Sequence, residues 1–170
     1  MNKQKICIII GVLFAICLTG CGDQRELSEL GVIGAASYDW CLGETKATLH
    51  VLQQDGDEEM LATGNGPGCQ EAYEAANEKL DRDIYPSHIR VHLLGDEYAK
   101  EGIEPLCDMV LRDQDFRIDV PLAVAQDAAA ESILQAAVEQ SAVGSEVLSK
   151  LIQENAKLGR TVETTVLDFI

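Results

Sequence analysis

Residues 89–125 read IRVHLLGDEYAKEGIEPLCDMVLRDQDFRIDVPLAVA, and the changing period along this stretch decides the fold. Ile89, Val91 and Leu93 alternate with His88, Arg90 and His92, the pattern of a strand with one buried face. Gly95-Asp96 then opens a helix with Asp96 as its N-cap. Ala99, Ile103, Leu106, Cys107 and Val110 fall on the apolar face of that helix. Ile118 to Ala125 is strand-like again, nearly continuous in apolar character after Val120, and Pro121 sets its start at a sheet edge.

Working outward, Gly31 to Trp40 is rich in small and β-forming residues and reads as a strand. Cys41 to Lys46 contains Gly43 and reads as a turn, and Ala47 to Gln54 as a second strand, which makes a hairpin. Asp55 to Glu59 is an acidic turn, and Met60 to Gly64 a short third strand. Asn65-Gly66-Pro67-Gly68 breaks the chain. Residues 69–84 then place Tyr73, Ala76, Leu80 and Ile84 at helical spacing. On the far side, Asp127 caps a short helix through Ala137. Val143 to Leu158 carries Val147, Leu148, Leu151 and Ile152 on one stripe. The order predicts an α+β (or α/β) fold. One mixed β-sheet, made of the N-terminal hairpin plus later strands, carries helices packed on it in a two- or three-layer sandwich.

The chain has 170 residues, room for one domain, and a net charge of −16 from 13 basic and 29 acidic residues. Such acidity argues against nucleic acid as a partner, because phosphate binding needs a basic surface. It also argues against electrostatic docking on anionic lipid. Attachment to a membrane must then be hydrophobic or covalent, and residues 1–20 fit that requirement. Lys3 and Lys5 precede 13 uncharged residues, Ile6 to Leu18, too short for a comfortable membrane span but right for a secretory signal. The stretch ends in Leu18-Thr19-Gly20-Cys21, which looks like a bacterial lipobox. The expectation is a signal peptide over 1–20, lipidation at Cys21, a polar tether over 21–29 and a folded domain over 30–170. Two acyl chains hold a protein stably on a bilayer where one holds it marginally. Loss of the signal leaves 11 basic and 29 acidic residues, a net charge of −18, on the side of the membrane that the lipid faces.

Candidate chemistry is sparse. Of six cysteines, Cys7 and Cys17 lie in the signal and Cys21 at the lipid site, which leaves Cys41, Cys69 and Cys107. Their separations of 28 and 38 residues match no zinc spacing. One disulfide plus one free thiol is compatible with that count. Cys107 reads as a core thiol; Cys69 sits near a helix start, where a thiol pKa can fall, but without a placed histidine base. His88 and His92 on one strand face lie roughly 13 Å apart, too far to share a metal ion, and read as a polar face partly covered by a helix. His50 is isolated. The acidic run Asp55, Asp57, Glu58 and Glu59 has neither calcium-loop nor glycosidase grammar and reads as a solvated turn. GNGPG at 64–68 precedes a helix but lacks the Lys-Ser/Thr of a phosphate loop and reads as a turn. Asp81-Arg82-Asp83 and the run from Arg112 to Arg117 are mixed-sign surface clusters.

The string of motifs as a whole resembles the N-terminal domain of the Ger(x)C family, the C subunits of spore nutrient-germinant receptors in endospore-forming bacteria. Four segments carry the resemblance: LTGCGDQRELSELGVIGAASYD from Leu18; EAYEAANEKL from Glu71; IYPSHIRVHLLGDEYAKEGIEPLCDMVLRDQDFRIDVPLAVAQDAAAESIL from Ile84; and AKLGRTVETTVLDFI from Ala156. Together they run through most of residues 18–170. Gly22 departs from the family, which carries an aromatic after the cysteine, and family members are about twice as long, with further domains. The resemblance implies an extracytoplasmic lipoprotein working with two membrane-embedded subunits, A- and B-type, at the spore inner membrane. It implies a structural hydrogen bond for His88 and no enzymatic activity or cofactor. Arg112, Asp113 and Arg117 overlap its R-D segment and become the candidate interaction surface. Two other readings stand beside it: a stand-alone small-ligand-binding lipoprotein, and a truncated, non-functional receptor fragment.

Overall fold

The computed structural model describes residues 31–52, 60–81, 83–141 and 144–170. The signal peptide, Cys21 and tether, the acidic turn Asp55–Glu59, Arg82 and Val143 lie outside the described residues. The chain folds as β1 (Gly31–Cys41), β2 (Glu44–Leu52), β3 (Met60–Gly66), α1 (Cys69–Asn77), β4 (Ile84–Tyr85), a 3-10 turn (Pro86–His88) and β5 (His92–Gly95). There follow α2 (Asp96–Glu101), α3 (Glu104–Arg112), β6 (Pro121–Ala125), α4 (Ala130–Gln140), α5 (Gly144–Lys157), β7 (Thr164–Thr165) and a final 3-10 turn (Val166–Phe169).

The strands form one mixed sheet in the order β3-β2-β1-β5-β6-β7, with β4 alongside β1. The hairpin β1–β2 and the β2–β3 pair are antiparallel, whereas β1, β5 and β6 run parallel. Helices cover both faces, so the sandwich has three layers. One face buries Tyr38, Leu49 and Leu94 against Ala72 of α1, Tyr98 of α2 and Leu106 of α3. The other buries Ala35, Val91 and Leu93 against Leu134 of α4 and Leu148 of α5.

β1 changes face partway. Its register shifts between Ile33 and Ala35. Ile33 therefore shares a face with Ala36 and Tyr38 although its parity differs. The extra residue is Gly34, where a Cβ would stand 2.6 Å from the Ser145 hydroxyl of α5. The bulge lets α5 lie close on the sheet.

Several elements differ from the sequence expectation. The strand expected at 89–93 starts at His92 and is buried on both faces, as a central parallel strand is. His92 thus points into the core and His88 lies in the 3-10 turn, so the polar strand face does not exist. The helix expected from Asp96 to Val110 is two helices. Gly102 at φ +117 stops the first, and Pro105 sits in the first turn of the second. Gly95, not Asp96, is the N-cap. Asp127 caps nothing; it takes φ +58, and α4 starts three residues later. α1 ends at Asn77 rather than near 84. GNGPG is not wholly a turn either, because Gly64, Asn65 and Gly66 belong to β3. On α5 the expected stripe is half right: Leu148 is buried and Ile152 half-buried, but Val147 and Leu151 are exposed.

Candidate functional site

The parallel strands β1, β5 and β6 end on one side of the sheet, where a crevice of about 430 Å³ opens. After β1 the chain moves to β2 on one side, and after β5 to β6 on the other, and such reversals are where α/β sheets place ligands. Here the crevice contains a side chain of its own. The Asp39 carboxylate accepts hydrogen bonds from the backbone N–H of Ala130 (2.8 Å) and Glu131 (2.9 Å), the first donors of α4. A helix N-terminus favours an anion, and Asp39 is that anion. Gly95 has no side chain to displace the carboxylate, and a Cβ there would overlap its Oδ1. Lys46 of β2 pairs with Glu131 beside it. With Asp96, Glu97 and Asp127 also lining the crevice, its charge repels phosphate.

The interaction surface expected at Arg112, Asp113 and Arg117 divides in two. Arg112 and Asp113 line a cleft of about 470 Å³ between α1 and residues 113–116, with Tyr73 and Phe116 alongside. Arg112 donates from Nε to Asp108 at 2.7 Å, and Asp113 Oδ1 accepts from the Asp115 N–H at 2.9 Å. Arg117 lies elsewhere. It binds Asp119 through Nε and an Nη, at 3.0 and 2.8 Å, and lines a separate depression of about 190 Å³ with Arg90 and Glu163. The chain turns between them because the Phe116 N–H bonds back to the Asp113 carbonyl and the Phe116 ring is buried.

A further cavity, of about 810 Å³, was not legible in the sequence. It is apolar, walled by Ile103, Leu122, Val124, Leu151, Val162 and Phe169. Its signal was the surplus of apolar residues on α5 and in the tail, more than the sheet can cover.

Two of the three described thiols, Cys69 and Cys107, are buried. Cys69 starts α1, yet burial pushes its thiol up to about 12, the opposite of an activated thiol; its Sγ lies 3.9 Å from Met109 Sδ. Burial raises Cys107 as well. Cys41, Cys69 and Cys107 are all free thiols, only Cys41 being exposed. The hydrogen bond expected of His88 is made by its neighbour: Ser87 Oγ donates to the Asp115 carbonyl at 2.7 Å, while His88 is exposed beside the Tyr85 ring. Among the described residues, no group of three or more His, Cys, Asp or Glu is placed to hold a metal ion. No described helix is long and apolar enough to cross a membrane.

His92 is fully buried between the rings of Tyr38 and Phe116, with no partner for either nitrogen among the described residues. Desolvation lowers its pKa from 6.5 to about 4. Between those values the unfolded chain binds a proton that the folded chain refuses, so stability falls as pH drops from 6.5 towards 4. The loss approaches about 3 kcal/mol at pH 4. His92→Phe should flatten the dependence of urea-unfolding stability on pH in this window; an unchanged slope would remove His92 from the account.

The family model described as "Spore germination protein N-terminal domain" matches residues 23–170. Three curated relatives from Bacillus subtilis (strain 168) are similar. "Spore germination protein KC" is 26% identical, the match covering 100% of this chain and 46% of that protein. "Putative spore germination protein YfkR" is 23% identical over 89% of this chain and 43% of its own length. "Spore germination protein YndF" is 22% identical over 78% and 42% respectively. The chain thus spans less than half the length of the curated relatives it matches. No solved structure matches.

Proposed function

Since the chain belongs to the family of spore germination protein N-terminal domains, we propose that it acts in spore germination as a lipid-anchored, extracytoplasmic subunit or accessory protein of a nutrient-germinant receptor. It works by protein–protein contact with membrane-embedded A- and B-type subunits. The family match over residues 23–170 carries this reading. Two features support it. The sequence at Leu18–Cys21 has the form of a lipobox, which would tether an acidic domain beside a bilayer that its charge does not favour. The candidate site offers clefts lined by charge and apolar surface.

The test is made in the native spore former. Cys21→Ala should move the protein out of the membrane fraction or leave an unprocessed precursor. Nutrient-triggered germination should slow to the level of a deletion strain, while non-nutrient triggers still work. Co-purification from spore membranes should bring down two multispanning proteins. A deletion strain without redundant receptors that responds normally to nutrients would sink the proposal.

A further inference from the structure

The cleft between α1 and residues 113–116 carries an imbalance of charge. Glu74, Asp83, Asp113 and Asp115 line it, and Glu74, Asp113 and Asp115 have no ion pair among the described residues. Among the described residues the one cation on its wall is Arg112, which is turned to Asp108 at 2.7 Å. Glu74 accepts a neutral bond from Gln70 at 2.8 Å. A second observation is independent of the acids. Tyr73 lines the same cleft and is only 8% exposed, and its hydroxyl has no hydrogen-bond partner among the described residues. That hydroxyl lies within reach of the Asp113 charge. Its ring packs against Phe116 with centroids 5.3 Å apart, so aromatic carbon forms part of the wall.

Carboxylates, an unused hydroxyl and aromatic carbon suit one kind of group. A guanidinium is planar, stacks on aromatic rings, and spreads five donors over several acceptors. It is also less strongly hydrated than an ammonium, which eases its entry into a half-dry cleft. We propose that this cleft is the docking site for an arginine side chain presented by a partner protein. This deepens the reading of a protein that works by contact. The peptide form is favoured because Gln70 and Asn77, whose side-chain amides can bond a flanking backbone, also line the cleft.

The test is an NMR titration of the full chain in detergent with acetyl-Gly-Arg-Gly-amide. The expected result is saturable shifts at Tyr73, Asp113 and Asp115, and none with the norleucine analogue. Asp113→Asn should weaken binding at least about fivefold, since a charge-assisted bond is lost. Tyr73→Phe, which keeps the ring, should weaken it less. Both variants are first shown to keep the wild-type spectrum elsewhere; if Asp113→Asn does not, Glu74→Gln serves instead. No saturable shift, equal shifts with norleucine, or unchanged affinity in the variants would overturn the proposal. So would agmatine binding with no binding of the peptide, which would make the site one for a small free guanidinium compound and not for a partner protein. If the peptide fails while the membrane subunits still co-purify, the contact lies elsewhere and the functional reading survives.

Discussion

Gly64→Ala should destabilise the protein by about 3 kcal/mol or more, the high end for overpacking, because the obstacle is backbone. Gly64 lies on β3 where α1 crosses it. A Cβ there would overlap the Ala76 nitrogen and the Ala72 carbonyl oxygen, and would stand 2.6 Å from the Ala75 carbonyl carbon. A side-chain neighbour can rotate away; a helix backbone can only move as a unit, taking Ala72, Tyr73 and Ala76 out of the core. Typical domains have 5–15 kcal/mol in total, so the fraction unfolded should rise by two orders of magnitude or more. Asn65→Ala, at an exposed position one residue on, is the control and should fall within about 0.5 kcal/mol of wild type. Urea unfolding measures both. A Gly64→Ala midpoint equal to that of wild type would mean that α1 does not lie so close to β3.

The second large effect is expected at Asp39. Asp39→Ala removes two charge-assisted bonds at once and leaves the N–H groups of Ala130 and Glu131 without acceptors; the first of these is buried. Loss of an N-cap alone costs about 1 kcal/mol, and an orphaned buried donor adds about 1–3. The expected loss is about 2–4 kcal/mol. Asp39→Asn keeps one acceptor oxygen and should fall between. Hydrogen exchange gives a sharper readout than global stability. Amides of the first turn of α4 should exchange faster in Asp39→Ala, while those of α1, on the other face, keep their protection. Uniform change across the chain would mean that Asp39 is a packing residue and not a cap.

These two residues mark where sequence reading reaches its limit. The hairpin, the mixed sheet and most helices were legible, because each depends on periodicity within a short window. The break at Gly102 and Pro105 was missed, because the apolar spacing from Ala99 to Val110 runs across both and reads as one helix. The Asp39 cap could not be seen. It joins residues 91 apart in the chain, and the local candidate, Asp127, satisfies every short-range rule for a cap. His92 misled in a different way. Alternation assigns polar residues to the outer face, but β5 lies between β1 and β6 and has no outer face. At the candidate site, Arg112, Asp113 and Arg117 look contiguous in sequence. The turn at Asp113–Phe116 is what separates the first two from the third, and nothing in the residue types announces its direction.

The bulge at Gly34 has a meaning for comparing relatives. β1 is written in two reading frames, one before residue 34 and one after it, and Gly34 is the spare letter between them. An alignment that slides a related strand past this point without allowing a gap would match core positions with the opposite face, and would understate the likeness of two identical cores. A change that removes this residue and adds one elsewhere in β1 would keep both faces only if α5 could still come close to the sheet.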